Sequence, residues 1–211
     1  GRRWCRPGLA AGLLPPRVYR QEGVPAGPTW PEVEQLCAAA GGNTAADIRD
    51  HAALLLFAAY GFRVGEVRRL RLDDLDWQAE VIRVRRSKPH PRVQCYPLSP
   101  RVGEALLRYL TTVRPRCAYR EAFLSLKAPV HPLGNSAFWQ LVHRRLEPFG
   151  FTLRHQGPHT LRHAAATRLL ASGFSLKTIG DYLGHRSAAA TRVYAKVDLA
   201  GLRQVADFPL E

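Results

Sequence analysis

His159-Thr160-Leu161-Arg162-His163 is followed by Leu183-Gly184-His185 and then, nine residues after His185, by Tyr194. Within 36 positions this string gathers anion-binding residues, proton-transfer residues and one candidate nucleophile. His159 and Arg162 stand i, i+3, so on a helix they share a face. A guanidinium beside an imidazole suits a phosphate group, because the fork clamps two oxygens while the ring carries a proton. The pentapeptide alone can arise by chance in so basic a chain. Its surroundings decide its weight.

Around the string the pattern is helical: His159 to Ser172 ended by Gly173, Ser175 to Leu183 ended by Gly184, Ser187 to about Val197, and a tail helix near Leu199–Val205. Upstream, Thr29 caps a helix with Trp30 and Pro31 in its first turn, stopped by Gly41-Gly42. Asn43 or Thr44 caps a second helix, apolar nearly all round from Ala52 to Tyr60 and closed by Gly61, which belongs at the centre of the core. A short helical turn follows over Phe62–Val67. From Trp77 the period changes to two: Ile82 and Val84 alternate with Arg83 and Arg85, and Val93–Tyr96 form a return strand. Ser87–Arg92 make the basic hairpin tip. Further helices run from Pro100 through Leu110 and from Asn135 or Ser136 through Leu146. The fold class expected is mainly α with one small antiparallel β-sheet, an α+β domain.

Formal net charge is +14 over 211 residues and the pI about 10.5, which points to a polyanionic partner, nucleic acid first. Lys88, Lys127, Lys177 and Lys196 are the only lysines among 31 basic side chains; the other 27 are arginines. Arginine favours forked phosphate contact, although a GC-rich genome gives the same bias. Hydrophobic content of 46% supports a real core and excludes a disordered tail. Cys5, Cys37, Cys95 and Cys117 are too scattered for a zinc site and read as reduced, mostly buried thiols of a cytosolic protein. No apolar run approaches a membrane span, and no signal peptide is visible. The chain starts Gly-Arg-Arg-Trp and contains no methionine, so it is expected to lack its natural start. Residues 1–28, with five prolines among glycine and arginine, read as an extended linker.

Taken singly, the chemistry-bearing residues have ordinary readings. Arg63 pairs naturally with Glu66 at i, i+3, and Lys88 suits a solvated loop. His163 reads as a buried hydrogen-bonding partner, His185 as a cap or packing residue, and Tyr194 as core. In order, however, the set resembles the tyrosine recombinase (phage integrase) family. That family's boxes match Gly61-Phe62-Arg63-Val64-Gly65-Glu66, Lys88 on a hairpin, His159-Thr160-Leu161-Arg162-His163, Leu183-Gly184-His185 and Tyr194. Leu70-Arg71-Leu72-Asp73-Asp74-Leu75-Asp76 and Ala165-Ala166-Thr167 also fit, and the resemblance covers about residues 29–205. One box is weak; the ordered set is strong.

The resemblance implies the tyrosine recombinase catalytic-domain fold and a site-specific DNA recombinase or integrase of a phage or mobile element. Tyr194 would attack a DNA phosphodiester, giving a 3′-phosphotyrosyl link. Arg63, Arg162 and His185 would hold the phosphate, with His159 as proton acceptor and Lys88 as general acid. Glu66 and His163 would support them. No metal or other cofactor is needed where two guanidiniums supply the charge. Arg68, Arg69, Arg71, Arg83, Arg85, Arg86, Arg144 and Arg145 are the candidates for duplex phosphates. A type IB topoisomerase-like strand transferase and a non-catalytic DNA-binding relic are the competing readings. Members normally carry an N-terminal DNA-binding domain; here 1–28 stand as its linker remnant, 29–211 as the catalytic domain, and a tail from about 198 as a segment docking on a neighbour. Double-stranded DNA and further copies of the chain, as a tetramer on DNA, are the partners implied. The location implied is cytoplasmic, at the nucleoid when bound.

Overall fold

The computed structural model describes residues 27–86, 92–150 and 156–184. Among the described residues there are seven α-helices: α1 Trp30–Ala39, α2 Ala45–Tyr60, α3 Val64–Arg68, α4 Pro100–Thr112, α5 Asn135–Leu146, α6 Pro158–Ala171 and α7 Leu176–Leu183. Their starts follow from local chemistry. Thr29 and Glu32 close a capping box on α1, the Glu32 carboxylate accepting from the Thr29 amide at 2.6 Å. Thr44 and Asp47 do the same for α2. Gly61 ends α2 in the left-handed region at φ 61°, where a side chain is strained.

The α2 run Ala52–Ala58 is buried on every side, and α2 packs against α1, α4, α5 and α6. Its Phe57 ring meets Phe138 of α5 edge-on at 5.9 Å. The sheet is three-stranded and antiparallel, in order β1 Leu75–Asp76, β2 Val81–Arg86, β3 Arg92–Pro97. Ile82 pairs with Tyr96 and Val84 with Gln94, all on one face, with Ile82, Val84 and Tyr96 buried. β1 adds to the two strands that the sequence pattern predicts, since its two residues are too short to show a period.

The mostly buried thiols need correction. Cys37 lies in the α1 core face, where burial raises its thiol pKa to about 11, but Cys95 and Cys117 are exposed. Strand alternation explains Cys95, since turning Tyr96 inward turns its neighbour out. No helix among the described residues is long and apolar enough to cross a membrane. The helices expected over 187–197 and 199–205, and the hairpin tip, lie outside the described residues.

Candidate active site

A helix leaves its last carbonyls without partners and carries partial negative charge there. At α7 the carbonyls in question belong to Tyr182, Leu183 and Gly184, and three arginines from three other elements reach them. Arg63, at the N-cap of α3, donates from Nη2 to Gly184 O at 2.8 Å. Arg162 of α6 donates from Nη2 to Leu183 O at 2.7 Å and from Nη1 to Gly61 O at 2.5 Å. Its guanidinium therefore lies between the C-terminal ends of α2 and α7. The residue is 3% exposed, so two negative helix ends compensate its buried charge.

Arg86, the last residue of β2, is the third. It donates to Leu183 O at 2.6 Å and to Tyr182 O at 2.9 Å. Its Nη1 also meets Glu66 Oε1 at 3.0 Å, its Nε meets Gln94 Oε1 at 2.7 Å, and Nη2 bonds the Tyr96 hydroxyl. The Tyr96 hydroxyl in turn donates to Tyr182 O. Glu66 is buried and shared: Oε1 also accepts from Arg63 Nη1 at 3.0 Å, and Oε2 from the Arg63 amide at 2.8 Å. One carboxylate thus fixes Arg63 and ties it to the strand leading to Lys88. Beneath lie stacked and edge-on rings of Tyr60, Phe62, Tyr96 and Tyr182, with centroids 4.9–5.8 Å apart. Burial raises the Tyr96 and Tyr182 hydroxyl pKa values, so both stay protonated near neutrality.

Of the six expected catalytic residues, Arg63 and Arg162 meet at the end of α7, immediately before His185 in sequence. Arg63 keeps 41% of its side chain exposed, whereas Arg162 is enclosed. His159 is exposed on the first turn of α6, and half-buried His163 sets its ring edge-on against it at 4.5 Å. The expected clamp is therefore uneven, since i, i+3 neighbours differ by about 60° around a helix and here one points into the protein. Lys88, His185 and Tyr194 lie outside the described residues.

The eight arginines expected on duplex phosphates separate. Arg68 is exposed, and with Arg69, Arg71 and Arg85 it lines one concavity. Arg83 pairs with Asp76, and Arg144 is 61% exposed. Arg145 is half-buried, bridging Asp47 at 2.6 Å and Asp50 at 3.2 Å. Arg86 is committed to the hydrogen-bond network that latches β2 to the end of α7, with 13% of its side chain exposed, against the expectation of a DNA contact. Sequence could have told: Ile82, Val84 and Arg86 share parity, so the face that buries two buries the third. Gln94, Tyr96 and Tyr182, which complete the latch, carried no signal of their own.

Residues 29–200 match the family model described as the phage integrase family. Integrase/recombinase y4gC of Sinorhizobium fredii is 45% identical over 179 residues, covering 82% of this chain and 90% of that protein. Tyrosine recombinase XerD of Listeria innocua is 32% identical over 177 residues, covering 82% of this chain but 59% of its own length. The crystal structure of XerA recombinase superposes with a TM-score of 0.73 at 26% identity, over 90% of this chain and 67% of that one. The chain thus spans nearly all of one relative and about three-fifths of another. It belongs to the phage integrase family, the tyrosine recombinases, and its helices and small sheet form that family's catalytic-domain fold.

Proposed function

We propose that this chain is the catalytic domain of a site-specific DNA recombinase that cleaves and rejoins strands through a 3′-phosphotyrosyl intermediate. The observation that carries the reading is the meeting of Arg63 and Arg162 at the α7 terminus that leads into His185. Tyr194 Oη attacks the phosphorus; the bond to the 5′-oxygen of the next nucleotide breaks. A phenol of pKa about 10 needs a proton acceptor at neutral pH, and His159, or a water it orients, takes that proton. Lys88 returns a proton to the departing 5′-oxygen. Charge gathering on the non-bridging oxygens is met by Arg63, Arg162 and His185. Glu66 acts through Arg63 as a positioning residue, and His163 buttresses His159. The phosphotyrosyl link conserves the energy of the broken bond, so rejoining needs neither ATP nor a metal.

Double-stranded DNA is the substrate, and a tetramer on DNA the working assembly. Residues 1–28 serve as an interdomain linker, and the tail from about 198 docks on a neighbouring protomer. The test is a nicked duplex that traps the cleaved state. Wild-type protein is expected to give a covalent protein–DNA adduct on a denaturing gel, in chelator as well as in buffer, and Tyr194→Phe to give none. An adduct that survives Tyr194→Phe, or one that requires a divalent cation, overturns the reading.

A further inference from the structure

We propose that the concavity between the end of α3, β2 and the start of α5 is a second anion subsite, separate from Arg63 and Arg162, that takes a backbone phosphate of the DNA. It rests on the DNA reading above. The hollow measures about 470 Å³ and is lined by Arg68, Arg69, Arg71 and Arg85 with Glu121 and Gly134. Four guanidiniums in one open hollow outweigh Glu121 and the Asp74 carboxylate that holds Arg85 at 2.9 Å. Like charges repel, and an anion held among them relieves that repulsion.

Two further features fit a phosphate. The walls are built in advance: Arg71 pairs with Glu121 in a β-bridge, Leu72 N donates to Arg120 O at 2.9 Å, and Ala122 N donates to Leu70 O at 2.8 Å. Asp74 is buried and holds both sides, one oxygen on Arg85 and the other on the Arg71 amide at 2.9 Å. Gly134, the N-cap of the 12-residue helix α5, brings no side chain to that helix's first N–H groups, which add their positive end to the hollow. Arg68 follows Arg63 by five residues along α3, about 7.5 Å of helix rise, which sets this subsite within a few nucleotides of the scissile phosphate.

The test measures binding of the 211-residue chain to a random 30-base-pair duplex at stepped salt. The double variant Arg68→Gln/Arg71→Gln is compared with Arg101→Gln/Arg108→Gln, which removes equal charge from α4. Losing a built phosphate contact flattens the slope of log K against log salt by about one to two and weakens binding at low salt about ten-fold or more, beyond the α4 control. Should Arg71→Gln disturb folding, Arg68→Gln alone is compared with Arg108→Gln. Equal losses in test and control variants overturn the subsite. So does a loss in the test variant matched by inorganic phosphate stabilising the wild type without competing with the duplex, which would mean a site for a free anion. Adduct formation through Tyr194 is scored separately, so its failure sinks the recombinase reading while the binding comparison still decides the subsite.

Discussion

Arg86 is a charge that composition would assign to DNA and that strand parity turns inward. There it joins Glu66, Gln94, Tyr96 and the end of α7. Removing one partner of so enclosed a network leaves the Glu66 carboxylate and two carbonyls short of donors. Arg86→Gln is therefore expected to cost about 3 kcal/mol in urea unfolding. Arg144→Gln, at an exposed position, should stay within about 0.5 kcal/mol. Arg86→Lys keeps the charge but loses the fork, and should recover less than half. A second residue is read through pH. His51 is half-buried, and burial, followed by Arg101 and Arg108, holds its pKa below the ordinary value. The unfolded chain then takes up the proton first, near pH 6.5. Stability is full above that pH and falls as pH drops toward the lower folded-state pKa. His51→Gln should flatten the loss that sets in below about pH 6.5 in denaturant titrations. At this scale the sequence named the arginines and histidines that the family boxes mark. It did not separate those facing solvent from those spent inside, because burial depends on partners distant in the chain.

The helices were legible wherever caps and glycines punctuate them: Thr29, Thr44, Gly61, Gly173 and Gly184 each fall at an element end that the structure also shows. The hairpin was legible from its change of period. β1 was not, since its two residues are recruited by pairing with Val81 and Ile82. Nor could any local pattern announce that α7 ends against β2 and α6. That junction depends on Gly184, at φ 65°, where an added Cβ would overlap the Arg86 guanidinium. Gly184→Ala combines left-handed strain of about 1–2 kcal/mol with displacement of Arg86. The expected outcome is a loss of about 2–3 kcal/mol in thermal or urea unfolding, with retained helix content by circular dichroism.

For the molecule as a whole, +14 is not spread evenly, since many acids are already engaged. Asp47, Asp50, Glu66, Asp73, Asp74 and Asp76 each meet an arginine among the described residues. Arginines without such partners, Arg68 and Arg71 among them, carry the surplus toward a polyanion. Duplex binding by residues 1–211 is expected to be weak and to fall by orders of magnitude between about 50 and 200 mM salt in an anisotropy titration. Tight binding that ignores salt would contradict that expectation. The α7 terminus also has a kinetic meaning. The Leu183 and Gly184 carbonyls at the end of α7 are held by three arginines, and Tyr194 is ten residues beyond Gly184, so covalent geometry alone confines the tyrosine to about 35 Å of that anchor. A group on so short a tether meets its target at an effective concentration on the order of millimolar. On the proposed reading, in which Tyr194 is the nucleophile, its delivery is thereby uncoupled from protein abundance: dilution governs how often the chain finds DNA, not how quickly a bound chain presents its tyrosine.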